Sequence, residues 1–372
     1  MSYVYDQPVT GKAFVGRELL MRTLREGCER GRSLAIFGGP RMGRTSILFC
    51  LASLLKKRLN QFPSKTKLIP VFFDIGAHAA DPVATLAKKM WTAITSAVCD
   101  ASITGRDAPP SFAEPAFAKV GKDVWPLFKE SLAKLEKESA GTSAWCRHIW
   151  LLDNVELLLA RNKDDIITFI SHSCNAQYVG APKSVIATGG RLLREVQQKK
   201  KSPLAMLRPL FLSVHLEHDA HKFIQSGLPH LADSKVDEIL RLSGRHPYVL
   251  SRLLAEIEKN GDNPLEYVAQ QARHDLETLF NLMWDELDLN RGLTYRGAYA
   301  APEHALLQLL IDIGAPLDVK SAETQLGLKH LKEFTEMLDY LGLAEKVLKG
   351  GEPFIRAHFV LWNQWYTDRI QY

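Results

Sequence analysis

Eight residues, Gly38-Gly39-Pro40-Arg41-Met42-Gly43-Arg44-Thr45, have the types and spacing of a phosphate cradle. They fit G-x-x-x-x-G-K-[ST] at every fixed position but one, because Arg44 stands in the lysine place. Each type has its chemistry. Gly38 and Gly43 permit backbone torsions that aim successive N–H groups at phosphate oxygens. The helix that follows offers free amide donors and the positive end of its dipole. The Thr45 hydroxyl can ligate Mg²⁺, and Ser46 can add a hydrogen bond to phosphate. Arg44 is longer than lysine, planar and permanently charged. It can fork onto phosphate oxygens but cannot occupy the point an ammonium would. The expectation is retained or weakened affinity and poor alignment for transfer, where an ångström-scale misplacement costs about a hundredfold in rate.

A carboxylate must complete such a site. "RHIWLLDNVELLL" (147–159) ends an apolar run at Asp153, the candidate for the Mg²⁺ shell. The next position, where a water-orienting base commonly stands, is Asn154, whose amide orients water but accepts no proton. Glu156 can replace it only if the strand end turns sharply; otherwise it is a first-turn acid of a helix. In "SVIATGG" (184–190), Thr188 sits where it can touch a γ-phosphate or the attacking water. Arg191 or Arg194 is either an arginine finger toward a neighbouring subunit or a solvated helix residue. Lysine at 44 together with aspartate at 154 is expected to raise turnover.

These groups need strands to hold them. "SLAIFGG" (33–39), "KLIPVFFDI" (67–75), "HIWLLDN" (148–154), "SVIATGG" and "PLFLSVHL" (209–216) are β-rich and mostly apolar on both faces, as buried parallel strands are. Segments 45–59 and 81–98 between them repeat at helical spacing, so the fold class is α/β with a layered core. The stretch "SITGRDAPPSFAEPAFAKVG" reads as an irregular insertion, and 197–206 as a basic surface loop. Past residue 217 the strands give way to short amphipathic helices. A Gly-rich linker is read at 287–301, then three helices and a hairpin around "KGGEPF", the pattern of a winged helix. The domain boundaries expected are 1–216, 217–286 and 287–372.

The composition, 372 residues with 46% hydrophobic and 24% charged, is that of a globular protein. A net charge of +5 does not by itself call for nucleic acid. Five scattered cysteines without a CxxC pair suggest reduced thiols rather than a metal or disulfide set. No secretory signal and no apolar run of about 18 residues is visible, so the expectation is a cytoplasmic protein without a membrane partner. The helix "LKHLKEFTEMLDYL" mixes Lys329 and Lys332 with Glu333, Glu336 and Asp339, which suits a DNA groove poorly. Lys346, Lys349 and Arg356 form a small basic cluster near the wing. Phe359, Trp362, Trp365 and Tyr366 recur at helical spacing and read as core.

Five motifs in order resemble the AAA-like and STAND-type P-loop ATPases. "FVGRELLMRTL" (14–24), with Gly16 and Arg17, resembles their F-V-G-R-E opening, and "GGPRMGRTSIL" their GxRRMGKTSLL loop. "WLLDNVE" resembles their acidic strand, "GRHPYVLSRLLAEI" (244–257) their GGHPYLLQ lid segment, and 353–370 their closing winged-helix segment. The resemblance implies an ASCE-type core with helical lid and winged helix, binding ATP or ADP with Mg²⁺. It places His246 and Pro247 against the nucleotide from the lid side and Gly16 and Arg17 among the nucleotide-binding residues. It implies a nucleotide-gated switch in signalling, stress or defence, acting through an effector protein or a homo-oligomer. Arg44 and Asn154 depart from the pattern at positions that drive hydrolysis. The expected function is thus a switch or scaffold with weak or absent hydrolysis. The alternative is an active ATPase that binds DNA through its winged helix.

Overall fold

The computed structural model describes residues 7–61, 66–102, 112–119, 124–139, 145–161, 164–174, 184–199, 201–260, 263–287, 293–295, 298–328 and 331–370. The chain forms two compact units. One, the sheet unit, comprises Glu18–Phe37 and Arg44–Leu210; the other, the helical unit, comprises Met1–Arg17, Gly38–Gly43 and Phe211–Tyr372.

In the sheet unit the elements run α1 (Glu18–Glu29), β1 (Leu34–Phe37), α2 (Arg44–Gln61), β2 (Thr66–Asp74), α3 (Val83–Ser102), α4 (Val124–Ser139), β3 (Trp145–Asp153), α5 (Glu156–Ala160), α6 (Asp164–Ser173), β4 (Ser184–Gly189), α7 (Arg191–Gln198) and β5 (Arg208–Phe211). The strands form one sheet in the order β2-β3-β4-β1-β5. β2 with β3, β3 with β4 and β4 with β1 are parallel. Every residue of β1 and β4 is buried, which is why these strands are apolar without alternation. Ile47, Leu48 and Leu51 of α2 are fully buried too. The register sets Asp74 beside Asp153 and Phe37 beside Gly189, so the polar residues that end these strands lie at one edge of the sheet, the carboxyl edge where α/β sheets bind ligands. β5 is shorter than the apolar run 209–216 suggested and is largely exposed. The described part of the insertion read as irregular holds a single 3₁₀ turn, Phe117–Lys119, whose Phe117 is buried against Trp91 and Phe128.

The helical unit runs α8 (Glu217–Gly227), α9 (Asp233–Ser243), α10 (Pro247–Lys259), α11 (Leu265–Asp275), α12 (Glu277–Leu287), β6 (Leu293–Tyr295), β7 (Ala298–Ala300), α13 (Pro302–Ile313), β8 (Leu317–Asp318), α14 (Val319–Leu326), α15 (Lys332–Leu341), β9 (Ala344–Lys349), β10 (Glu352–Ala357) and α16 (Val360–Ile370). Ala220, Ile224, Val236, Ile239, Leu250 and Leu254 form the core of α8–α10. The segment read as a linker instead carries the antiparallel pair β6 and β7, because Leu-Thr-Tyr and Ala-Tyr-Ala flank the Arg296-Gly297 connection at matching length. The hairpin around "KGGEPF" is β9 and β10, which with β8 make an antiparallel sheet in the order β8-β10-β9. The terminal aromatic stripe is core: Phe359 and Trp362 are fully buried, with Phe280 edge-on to both.

Candidate nucleotide site

Within the sheet unit, Asp153 ends β3 with its side chain fully buried. Its carboxylate accepts a hydrogen bond from the Thr45 hydroxyl at 2.6 Å and a second from the Thr188 hydroxyl. Sequence reasoning named these three residues separately, over more than a hundred positions; the parallel register brings them together. A carboxylate and a threonine hydroxyl are hard oxygen donors of the type Mg²⁺ prefers, so the residues fit that ion. Asp74, the register neighbour, accepts from the Asn154 side-chain amide at 3.2 Å and from the Ala77 amide at 3.1 Å. Asn154 also donates its backbone N–H to Thr188 Oγ1 at 3.2 Å.

Asn154 has φ +57°, in the left-handed region that asparagine tolerates best among side-chain-bearing residues. That torsion turns the chain off β3 at once, and Glu156 becomes the first residue of α5. The strand end turns sharply, and Glu156 is a first-turn acid of α5. Its Oε1 takes a 3.0 Å ion pair from Arg44 Nη1, and each side chain is 17% exposed. Its Oε2 is buried and has no hydrogen-bond partner. It lies over Gly189, where a Cβ would approach it to 2.5 Å. Arg191 is buried, not solvated, and bonds Glu195 at 2.9 Å; burial rather than solvent contact defines it.

Residues Gly38–Gly43 belong to the helical unit, where three segments hold them by their backbone. The Tyr340 hydroxyl donates to the Gly38 carbonyl at 3.0 Å, and the Tyr340 carbonyl accepts from the Gly39 amide at 3.3 Å. Tyr340 lies in α15, the helix whose mixed charges suit a DNA groove poorly, and it is buried. A Cβ at Gly39 would sit 3.1 Å from the Tyr340 carbonyl, a tight approach that a side chain there would strain. Arg17 donates to the Met42 carbonyl at 3.2 Å and to the Ser213 carbonyl at 2.9 Å. Burial pushes its guanidinium down to about 10, with the charge of Asp219 acting the other way. Asp219 also lies against Gly16, where a Cβ would come within 2.9 Å of it. His246, fully buried, donates from Nε2 to the Pro40 carbonyl at 3.2 Å, and burial pushes it down to about 3. Pro247 opens α10, where its missing N–H costs nothing. Arg41 stands over the Tyr248 ring at 5.3 Å. Met42 is fully buried, Ser46 nearly so, and Gly43 has φ +90°.

Among the described residues, four non-glycine positions have positive φ: Arg17, Arg41, Asn154 and Arg245. Each costs about 1 kcal/mol or more and persists only where its surroundings demand it. All four fall on motifs singled out from the sequence. Arg245 adds a link of its own, an ion pair with Glu345 of β9, which also accepts from Arg356 of β10 at 2.7 Å. Sequence reasoning missed Tyr340, Asp74, Asp219 and Glu345. Each meets its motif only through tertiary contact, so no local pattern marks it.

The strand order, the glycine loop between β1 and α2, and the Thr45–Asp153 pair define the class: this is the P-loop nucleoside triphosphatase fold. No protein-family model matches the sequence, and no curated protein matches it. Among solved structures, the chain is similar to the Walker-type ATPase of Pyrococcus abyssi, at 16% identity and TM-score 0.64, over 99% of this chain and 100% of that one. It is also similar to the Orc1 protein of Aeropyrum pernix in complex with DNA, at 14% identity and TM-score 0.46, over 96% of this chain and 94% of the other. A third is the STAND protein with a tetratricopeptide repeat sensor from Pyrococcus horikoshii, at 14% identity and TM-score 0.39, over 96% of this chain and 43% of that one. Among the described residues, no helix is long and apolar enough to cross a membrane.

Proposed function

We propose that this chain is a nucleotide-binding switch or scaffold with weak or absent hydrolysis, acting through a protein partner or a second copy in signalling or defence. One observation carries the reading: Thr45 and Asp153 meet at 2.6 Å, while Arg44 and Glu156 are tied to each other. Thr45 and Asp153 would hold Mg²⁺, which supplies charge neutralisation to the phosphates of ATP or ADP when bound. Thr188 holds Asp153 from its other oxygen. The lysine place and the first acid beyond Asn154 are thus spent on one ion pair, which favours retention over turnover.

The ties from Tyr340, His246 and Arg17 to the loop support a switch: a loop that rearranges around phosphate disturbs the bonds of three distant segments. The winged-helix reading of α13–α15 with β8–β10 stays part of this proposal, as does a cytoplasmic setting. DNA binding through that module has less support, since Arg356 is paired with Glu345 and Tyr340 of α15 is buried on the loop. Calorimetry with Mg-ADP and Mg-ATP tests the reading. Binding is expected in the wild type and lost in Gly43→Val, whose side chain cannot follow φ +90°. Turnover is expected well below about 1 per second. No heat of binding in the wild type, or ordinary ATPase rates, refutes the proposal.

A further inference from the structure

We propose that Glu156 is a positioning residue that acts as an internal anion, competing with nucleotide phosphate for Arg44 and so setting the affinity of the site. The inference rests on the nucleotide-binding reading above. The Arg44–Glu156 pair, at 3.0 Å with both side chains 17% exposed, is shielded enough from water to be a real competitor. Glu156 Oε2 is buried without a hydrogen-bond partner, so the carboxylate is held through one oxygen while the other lies dehydrated over Gly189. Breaking the pair leaves that carboxylate further short of partners, so phosphate must meet the cost of separating Arg44 from it.

The placement follows from two local features. The left-handed Asn154 swings Glu156 to the head of α5, and the absent side chain of Gly189 leaves room for its carboxylate. A guanidinium suits the arrangement better than an ammonium, because its planar fork serves a carboxylate and a phosphate with the same N–H set. Phosphate arriving at Arg44 therefore exchanges one anion for another, and its net gain is the difference between the two.

A role for Glu156 in orienting water acts on turnover and leaves the affinity for Mg-ADP unchanged; competition acts on that affinity directly. The test is calorimetry with Mg-ADP on the full-length wild type, Glu156→Gln, Arg44→Ala and the double variant. Glutamine keeps shape and acceptor but removes the charge. The expected result is about tenfold tighter binding by Glu156→Gln, the change of one charge-assisted hydrogen bond. Arg44→Ala is expected to bind more weakly, and Glu156→Gln to add nothing in that background. Should Glu156→Gln not fold, Glu156→Asp, one methylene shorter, is expected to tighten binding by a smaller factor. Equal or weaker binding by the charge-removed variant overturns the inference while nucleotide binding itself stands. So does a gain of equal size without Arg44, which would mark simple repulsion rather than pairing. Absence of heat in all four proteins overturns the nucleotide reading and this inference with it.

Discussion

The buried imidazole of His246 makes the stability of this protein acid-sensitive in a way that can be worked out. The ring is fully buried, donates to the Pro40 carbonyl at 3.2 Å and lies 6.1 Å from Phe359. Burial pushes it down to about 3, with the charges of Arg17 and His358 adding to the effect. Unfolded, it titrates near 6.5. Above that pH both states are neutral and nothing is lost. Below it the unfolded chain takes a proton that the folded chain refuses until about pH 3, so stability falls as pH drops through that window. Between pH 7 and pH 5 the loss is about 2 kcal/mol, and any folded value below about 4 gives nearly the same figure. The perturbation is His246→Asn, which keeps a side-chain N–H donor and removes the titration. Urea midpoints and slopes at pH 7, 6 and 5 give the assay. His215 and His358, pushed down by burial to about 3 and about 4, act in both proteins and cancel in the difference. The wild type should lose about 2 kcal/mol more than the variant over this range. Parallel losses would show that His246 is solvated or protonated in the fold, and the reasoning would fail.

Two further outcomes are expected. Gly189→Ala places a Cβ 2.5 Å from Glu156 Oε2 and 2.7 Å from Leu193 Cβ, so it should destabilise by about 3 kcal/mol in urea unfolding; a loss under about 0.5 kcal/mol would refute the close approach. Tyr340→Phe removes the donor to the Gly38 carbonyl and should cost about 1–2 kcal/mol by the same assay; an unchanged midpoint would mean the hydroxyl bond is not made.

The sheet was legible because its strands are buried on both faces, and burial writes itself into runs such as Leu34–Phe37 and Ile149–Leu152. The loop and Asp153 were legible because their chemistry restricts residue type at fixed spacing. Glu156 was legible only as a pair of alternatives, since its position hangs on one torsion at Asn154. Tyr340 was not legible at all. Its helix carries an ordinary amphipathic pattern, and nothing local states that the buried tyrosine lies on a glycine loop 302 positions earlier in the chain. The 293–300 pair was hidden by Gly292 and Gly297, since glycine in a sequence marks a turn as readily as a linker.

Asn154 hands its amide to Asp74, and this constrains which residues position 154 can accept. An aspartate at 154 would set one carboxylate about 3.2 Å from another, with the Asp153 carboxylate next in the chain. Two like charges that close do not both ionise, so the new acid would take up a proton or push the turn apart. The exchange of Arg44 for lysine and Asn154 for aspartate, expected from sequence to raise turnover, therefore needs a third change that neutralises Asp74. Asn154→Asp taken alone sets two carboxylates against each other, so the amide acts as a ratchet tooth against that single exchange.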